Sequence, residues 1–219
     1  MLVQMSESAE MYLKAMVELG QGDKVAVGRL AGRLGVSNVS ANEMVHRLTD
    51  QGLVSHTPYK GVELTEAGQA AACSVLRRQR LWECFLYHYL KIEWAKLYEL
   101  ACALEHATAP EVTEALAVFL DDPQFCPRGN PIPAADGSFT PLNGIPLREV
   151  PLGASARVLA VNATETDLLR YLQEREVLPG QKLTLMEAGP MDGPLTLRVN
   201  GHDVALGLRL AEFVTVELI

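Results

Sequence analysis

Cys102, Glu105 and His106 lie within ELACALEHAT, residues 99–108, at relative positions i, i+3 and i+4. On an α-helix that spacing puts a thiol, a carboxylate and an imidazole on one face. All three bind divalent transition metals, so the stretch reads as half of a metal site. Each residue also has an ordinary explanation. A lone cysteine is most often a small buried apolar residue, and a Glu-His pair at a helix end is commonly solvated, with the imidazole near the negative end of the helix dipole. The four cysteines form no CxxC pair, and no basic-then-apolar leader opens the chain, so reduced thiols in a cytoplasmic protein are expected. A hydrolytic metal centre is disfavoured: there is no HExxH, and the candidate ligands supply no general base beyond themselves. The chain therefore reads as a non-enzyme.

The elements that must carry these residues follow from periodicity. SESAEMYLKAMVELG, from Ser6 to Gly20, has an N-capping serine, acids in its first turn and apolar residues at helical spacing. Next, a helix through Leu30 and Leu34 stops at Gly35, and a second runs from about Asn38 to Gln51. Ala31, Val36, Val45 and Leu48 are the expected seam between them, a helix-turn-helix. GLVSHTPYKGVELTEAG supplies two short strands around a Pro58–Gly61 turn, a β-wing that makes the unit a winged helix. A long helix follows Thr65, and further helices are expected over 93–106 and 110–120. Their surplus apolar faces predict a helical dimer interface. A proline-rich stretch over 121–150 reads as a linker. Beyond it, short β-rich runs interrupted by TDLLRYLQERE indicate a small β-barrel with one helix after its first strand. No run is long and apolar enough to span a bilayer.

A net charge of -8 looks wrong for a DNA-binding protein until its distribution is read. Residues 1–96 hold 11 basic and 10 acidic side chains, and residues 97–219 hold 8 and 17. The first part can therefore present a local basic face while the rest repels DNA. In a helix-turn-helix the first turn of the second helix enters the major groove. Ser37, Val39, Ser40 and Asn42 are placed to reach bases there, Val39 against a thymine methyl and Asn42 on a base edge. Arg29, Arg47 and Lys60 suit phosphates. The ordinary alternatives are that Ser37 is only an N-cap and Arg47 only a surface charge.

Taken in order, SAEMYLKAMVEL, the winged helix ending GLV…LTEAG, RRQRLWE, ACALEH, CPRGNPIP and the C-terminal β-rich part resemble the diphtheria toxin repressor family of metal-dependent transcription regulators, over essentially the whole chain. The resemblance implies a mainly α fold with small β. Its parts are a winged helix-turn-helix DNA-binding domain (1–72), a helical metal-binding and dimerisation domain (73–140), a linker (141–150) and an SH3-like β-barrel (151–219). This last is similar to a stand-alone partner of ferrous-iron transport proteins. It also implies a primary metal site of Met11, Cys102, Glu105 and His106, a mixed donor set suited to Mn(II) or Fe(II), with Co(II), Ni(II), Zn(II) or Cd(II) able to substitute in vitro. An ancillary site is implied less completely. Glu83 and Glu165 match its ligands, but Gln79 and Tyr98 stand at its two histidine positions and Leu168 at its glutamine position. Gln79 or Asp167 could help rebuild it from hard oxygen donors. Arg80 and Asn130 match residues that hold an anion nearby in relatives, with Cys126 at the third such position.

The resulting expectation is a homodimer on double-stranded operator DNA, with no membrane and no small-molecule substrate, controlling metal-uptake genes in response to Mn(II) or Fe(II). The rival is a winged-helix regulator that senses an organic ligand, with the metal site vestigial.

Overall fold

Ser6 opens the first helix by accepting the Ala9 N–H at 3.3 Å. α1 (Glu7–Gly20) then carries Glu7 and Glu10 at the positive end of its dipole. α2 (Val27–Leu34) stops at Gly35, which takes φ +66° and closes the helix in a left-handed cap. α3 (Asn38–Asp50) starts at Ser37, whose oxygen accepts the Ser40 N–H at 3.1 Å. Leu30, Ala31, Ala41, Val45 and Leu48 bury the seam together with Leu13 and Met16 of α1. Val36, expected in that seam, is instead 39% exposed. The left-handed turn at Gly35 directs its side chain outward, and only its backbone N–H serves the helix, through Ala31 O.

The wing pairs β1 (Val54–Thr57) antiparallel with β2 (Gly61–Leu64), and Val25 bridges to Val62 with both backbone hydrogen bonds. Gly61 has φ +102°, and a Cβ there would come within 2.8 Å of Val25 O, so this crossing needs glycine. The computed structural model describes residues 5–20, 24–57, 60–138, 140 and 142–219. Pro58 and Tyr59 of the expected wing turn lie outside the described residues. α4 (Glu66–His88) is capped by Thr65, which accepts the Gly68 N–H at 3.1 Å. Two ion pairs of 2.8 Å brace the bundle, Arg33 with Glu18 and Arg78 with Glu10. Arg77 donates to Pro133 O at 2.9 Å, which ties residues 133–138 into this first unit, formed otherwise by residues up to Arg78.

The second unit comprises residues 79–132 and 139–219. The helix expected from Glu93 begins as a 3-10 turn, Trp94–Lys96, because the Lys96 N–H closes on Glu93 O. α5 (Leu97–His106) follows, then α6 (Pro110–Phe119) with proline at its first position. The β part is one antiparallel sheet of β3 (Ile145–Pro146), β4 (Ser155–Val161), β5 (Lys182–Ala188), β6 (Leu195–Val199), β7 (His202–Leu206) and β8 (Val214–Leu218), in the order β3-β8-β4-β5-β6-β7. Register shifts at Val158/Ala160 in β4 and Leu185/Glu187 in β5 bend it. α7 (Thr166–Glu174) follows β4, as expected, and a short α8 (Leu208–Ala211) precedes β8.

The linker expected over 141–150 is partly sheet, since Ile145 and Pro146 pair with Val216 and Thr215 of β8. Proline is tolerated there because β3 is an edge strand. Leu86, Trp94, Leu97 and Ala101 share one buried cluster with Val158, Val161, Leu169 and Val214, so helices and sheet have a common core. Among the described residues no helix is long and apolar enough to cross a membrane.

Candidate metal centre and DNA-reading surface

α5 delivers the spacing read from the sequence. Glu105 is completely buried, Cys102 half-buried one turn earlier, and His106 ends the helix with its Nε2 3.6 Å from Glu105 Oε1. The end of α5 is held from outside. Thr108 Oγ1 donates to Leu104 O at 2.7 Å and accepts from Trp82 Nε1 of α4, also at 2.7 Å. These bonds fix the turn from which Glu105 and His106 project. Among the described residues no three His, Cys, Asp or Glu side chains are already drawn together as a metal-binding group. Met11 is half-buried on α1, next to Glu10, which Arg78 holds. It belongs to the first unit, and Cys102, Glu105 and His106 to the second.

The expected ancillary trio is arranged differently. Glu83 is 0% exposed and faces Arg128 rather than an open ligand pocket. Arg128 Nε donates to both carboxylate oxygens at 3.2 Å and Nη2 to Oε1 at 2.8 Å. Gln79 Nε2 donates to the same Oε1 at 3.2 Å. Arg128 Nη1 reaches the carbonyls of Ala163 at 3.0 Å and Val161 at 3.3 Å, and its guanidinium lies 4.8 Å over the Tyr98 ring. Glu165 is exposed at the start of α7, where its carboxylate accepts the Thr164 N–H. The structure thus joins Glu83 to Gln79 and pairs its carboxylate with a guanidinium, while the Glu165 carboxylate is engaged with the Thr164 N–H. Asp167 is exposed and paired with Arg170.

Asn130 and Arg80, matched to anion-holding positions, spend donors on backbone, Asn130 on Val161 O at 3.2 Å and Arg80 on Pro131 O. Burial, with the Glu83 charge adding to it, pushes the Cys126 thiol up to about 12, so it stays neutral. Burial likewise raises the Cys84 thiol.

Arg128 was missed by sequence reasoning. The available signal was a charged residue inside CPRGNPIP, a turn otherwise made of neutral, proline-rich residues.

On the first unit, Val39 stands 69% exposed at the start of α3, with Asn38, Ser40, Asn42 and Arg47 also exposed, and Arg29 and Lys60 exposed on α2 and the wing. Ser37 serves as the cap, and its hydroxyl lies 2.9 Å from that of Ser40. Asn42 Nδ2 donates to Asn38 O at 2.8 Å, so its carboxamide must leave that bond to offer the same donor to a base. The surface therefore carries the small and polar residues that fit a major groove, with basic residues around them.

Comparison with known proteins matches three successive segments of the chain. Residues 4–62 match the iron dependent repressor N-terminal DNA binding domain, residues 65–134 the iron dependent repressor metal binding and dimerisation domain, and residues 145–218 the FeoA domain. The iron-dependent repressor IdeR of Mycobacterium tuberculosis is 31% identical over 225 residues, covering 96% of this chain and 97% of that protein. The diphtheria toxin repressor of Corynebacterium efficiens is 33% identical over 221 residues, 96% of this chain and 95% of its own. Among solved structures, a manganese-dependent transcriptional repressor in complex with manganese superposes with a TM-score of 0.86 at 30% identity, over 96% of this chain and all of that one. ScaR with bound Zn2+ superposes with a TM-score of 0.84 at 28% identity, over 96% and 99%. None of these matches favours an organic-ligand sensor.

Proposed function

The chain belongs to the diphtheria toxin repressor family of iron-dependent repressors, and from that premise we propose that it is a homodimeric regulator that binds operator DNA and represses metal-uptake genes when Mn(II) or Fe(II) is plentiful. The activating ion takes Met11, Cys102, Glu105 and His106 as ligands. A thioether, a thiolate, a carboxylate and an imidazole fit a borderline divalent ion, and Co(II), Ni(II), Zn(II) or Cd(II) substitute in vitro. The observation that carries this reading is the fully buried Glu105 carboxylate beside the His106 imidazole at the end of α5, inside the segment matched as metal binding and dimerisation.

A bound ion would supply positive charge and directional coordination, and Cys102, Glu105 and His106 of α5 with Met11 of α1 are the residues that would hold it. The residues do the rest. Trp82 and Thr108 orient the last turn of α5, and Arg78 holds Glu10 beside Met11. Exposed Leu90, Leu104, Val112, Val118 and Phe119 favour a second copy as the cover of the helical domain. Two copies bring two α3 helices to a near-palindromic site, with Val39, Ser40 and Asn42 at bases and Arg29, Arg47 and Lys60 at phosphates. The protein is not an enzyme and works in the cytoplasm, where its operator is.

The test is gel mobility shift of a duplex selected from a random pool in Mn(II), repeated with chelator and with Glu105→Ala and His106→Ala. Both variants should fold and lose the metal response. A response unchanged in both overturns the ligand assignment, and wild-type binding that ignores chelator overturns the metal switch.

A further inference from the structure

Arg128 is among the largest side chains that the protein buries completely. It stands in a turn closed by hydrogen bonds from Cys126 N–H to Asn130 O and from Gly129 N–H to Cys126 O. Gly129 takes φ +81°, and a Cβ there would fall 1.8 Å from Leu159 O, so only glycine lets this turn rest on β4. The Val161 N–H then donates to Arg128 O at 2.9 Å, fastening the turn to the strand. The guanidinium therefore meets α4 through Glu83, α5 through Tyr98 and the end of β4 through the Val161 and Ala163 carbonyls.

A carboxylate and two carbonyls, with the Gln79 carboxamide alongside, are the oxygen donors a hard divalent cation would take. Here a guanidinium has taken the carboxylate and both carbonyls. Gln79 Oε1 is buried without a hydrogen bond among the described residues, a spare oxygen at the edge of the cluster. A divalent ion added beside Arg128 would face a buried positive charge where water screens little. The ancillary ion implied by the family resemblance does not fit these residues.

We propose that Arg128 is a covalently attached replacement for a second metal ion, holding the SH3-like sheet to α4 and α5 in the absence of metal and leaving each protomer one exchangeable ion. The ion count rests on the α5 reading above, whereas the metal-independent hold on the sheet does not.

The experiment uses full-length wild type, Glu83→Gln and Arg128→Ala. Elemental analysis and anaerobic Mn(II) titration should give one ion per protomer in wild type and the same in Glu83→Gln. Hydrogen exchange at the Val161 and Asn162 amides should be equally slow in apo and Mn(II)-loaded wild type. Arg128→Ala should melt at lower temperature, and millimolar guanidinium or Mn(II) should raise its Tm more than that of wild type, by filling the vacated oxygen cage. A second Mn(II) in wild type that Glu83→Gln removes overturns the proposal. So does exchange at those two amides that slows roughly tenfold or more when Mn(II) is added. If Arg128→Ala does not fold, the Glu83→Gln stoichiometry and the wild-type exchange still decide. A wild type that binds no Mn(II) refutes the α5 reading and leaves the exchange result to judge Arg128.

Discussion

Glu83 and Glu105 are both completely buried carboxylates within one unit, yet they are treated oppositely. Glu83 meets a guanidinium at 2.8 Å that cannot lose its charge or leave. Glu105 lies 3.6 Å from an imidazole that can be neutral and can itself ligate, at a helix end with a thiol one turn back. A buried carboxylate must be compensated, and the kind of compensation decides its role. In our proposal the fixed cation makes Glu83 architectural, while an exchangeable one would make Glu105 a sensor.

The sharpest way to break this contrast is to remove the fixed cation. Arg128→Ala leaves Glu83 buried with its charge partner gone and should cost about 3–5 kcal/mol, read as a lower urea midpoint. A loss within ordinary surface-mutation range would mean that Glu83 is not compensated as described. On the sensor side, Glu105→Ala and His106→Ala should keep the far-ultraviolet circular dichroism of the folded protein and remove a coupling of about 1–3 kcal/mol, so that Mn(II) no longer raises operator affinity roughly 5- to 150-fold.

Thiol chemistry divides the same two regions. Iodoacetamide at neutral pH should label half-buried Cys102 before Cys84 or Cys126, and Mn(II) should protect Cys102 alone. Equal labelling of all three with and without metal would erase the distinction.

A smaller effect separates the two functions of α3. Ser37→Ala removes the cap and should cost about 1 kcal/mol of stability without changing base preference, as Ser37 is engaged with Ser40. A changed preference in selected sites would return Ser37 to the reading set.

The last effect is confined to alkaline pH. The folded thiol of Cys126 lies near 12 against an ordinary 9.0, so burial favours its neutral form. Its contribution to stability is complete below about pH 9 and declines as pH rises towards 12, and Cys126→Ala should flatten that part of the pH-stability curve.

What the sequence disclosed was local. Ser6, Ser37 and Thr65 announce helix starts because a cap acts within three residues, and the Cys102, Glu105 and His106 face follows from helical pitch alone. The sheet with its single long helix was legible from alternating apolar residues. The Glu83–Arg128 pair was not, since it joins positions 45 residues apart across a glycine-dependent turn within a stretch whose prolines suggested only a linker. Glu83 was therefore matched to a ligand position by the family resemblance alone. Val36 misled for a related reason: its apolar character suited the seam, but the left-handed Gly35 set its direction.

The central claim is that metal at the α5 site gates operator binding. Fluorescence anisotropy of a labelled, selected palindromic duplex, titrated anaerobically with Mn(II) or Fe(II) at fixed protein and then with chelator, tests it most directly. The account predicts binding that saturates with about one ion per protomer, reverses fully with chelator and is absent in Glu105→Ala. Equal affinity with metal, with chelator and in Glu105→Ala would contradict it.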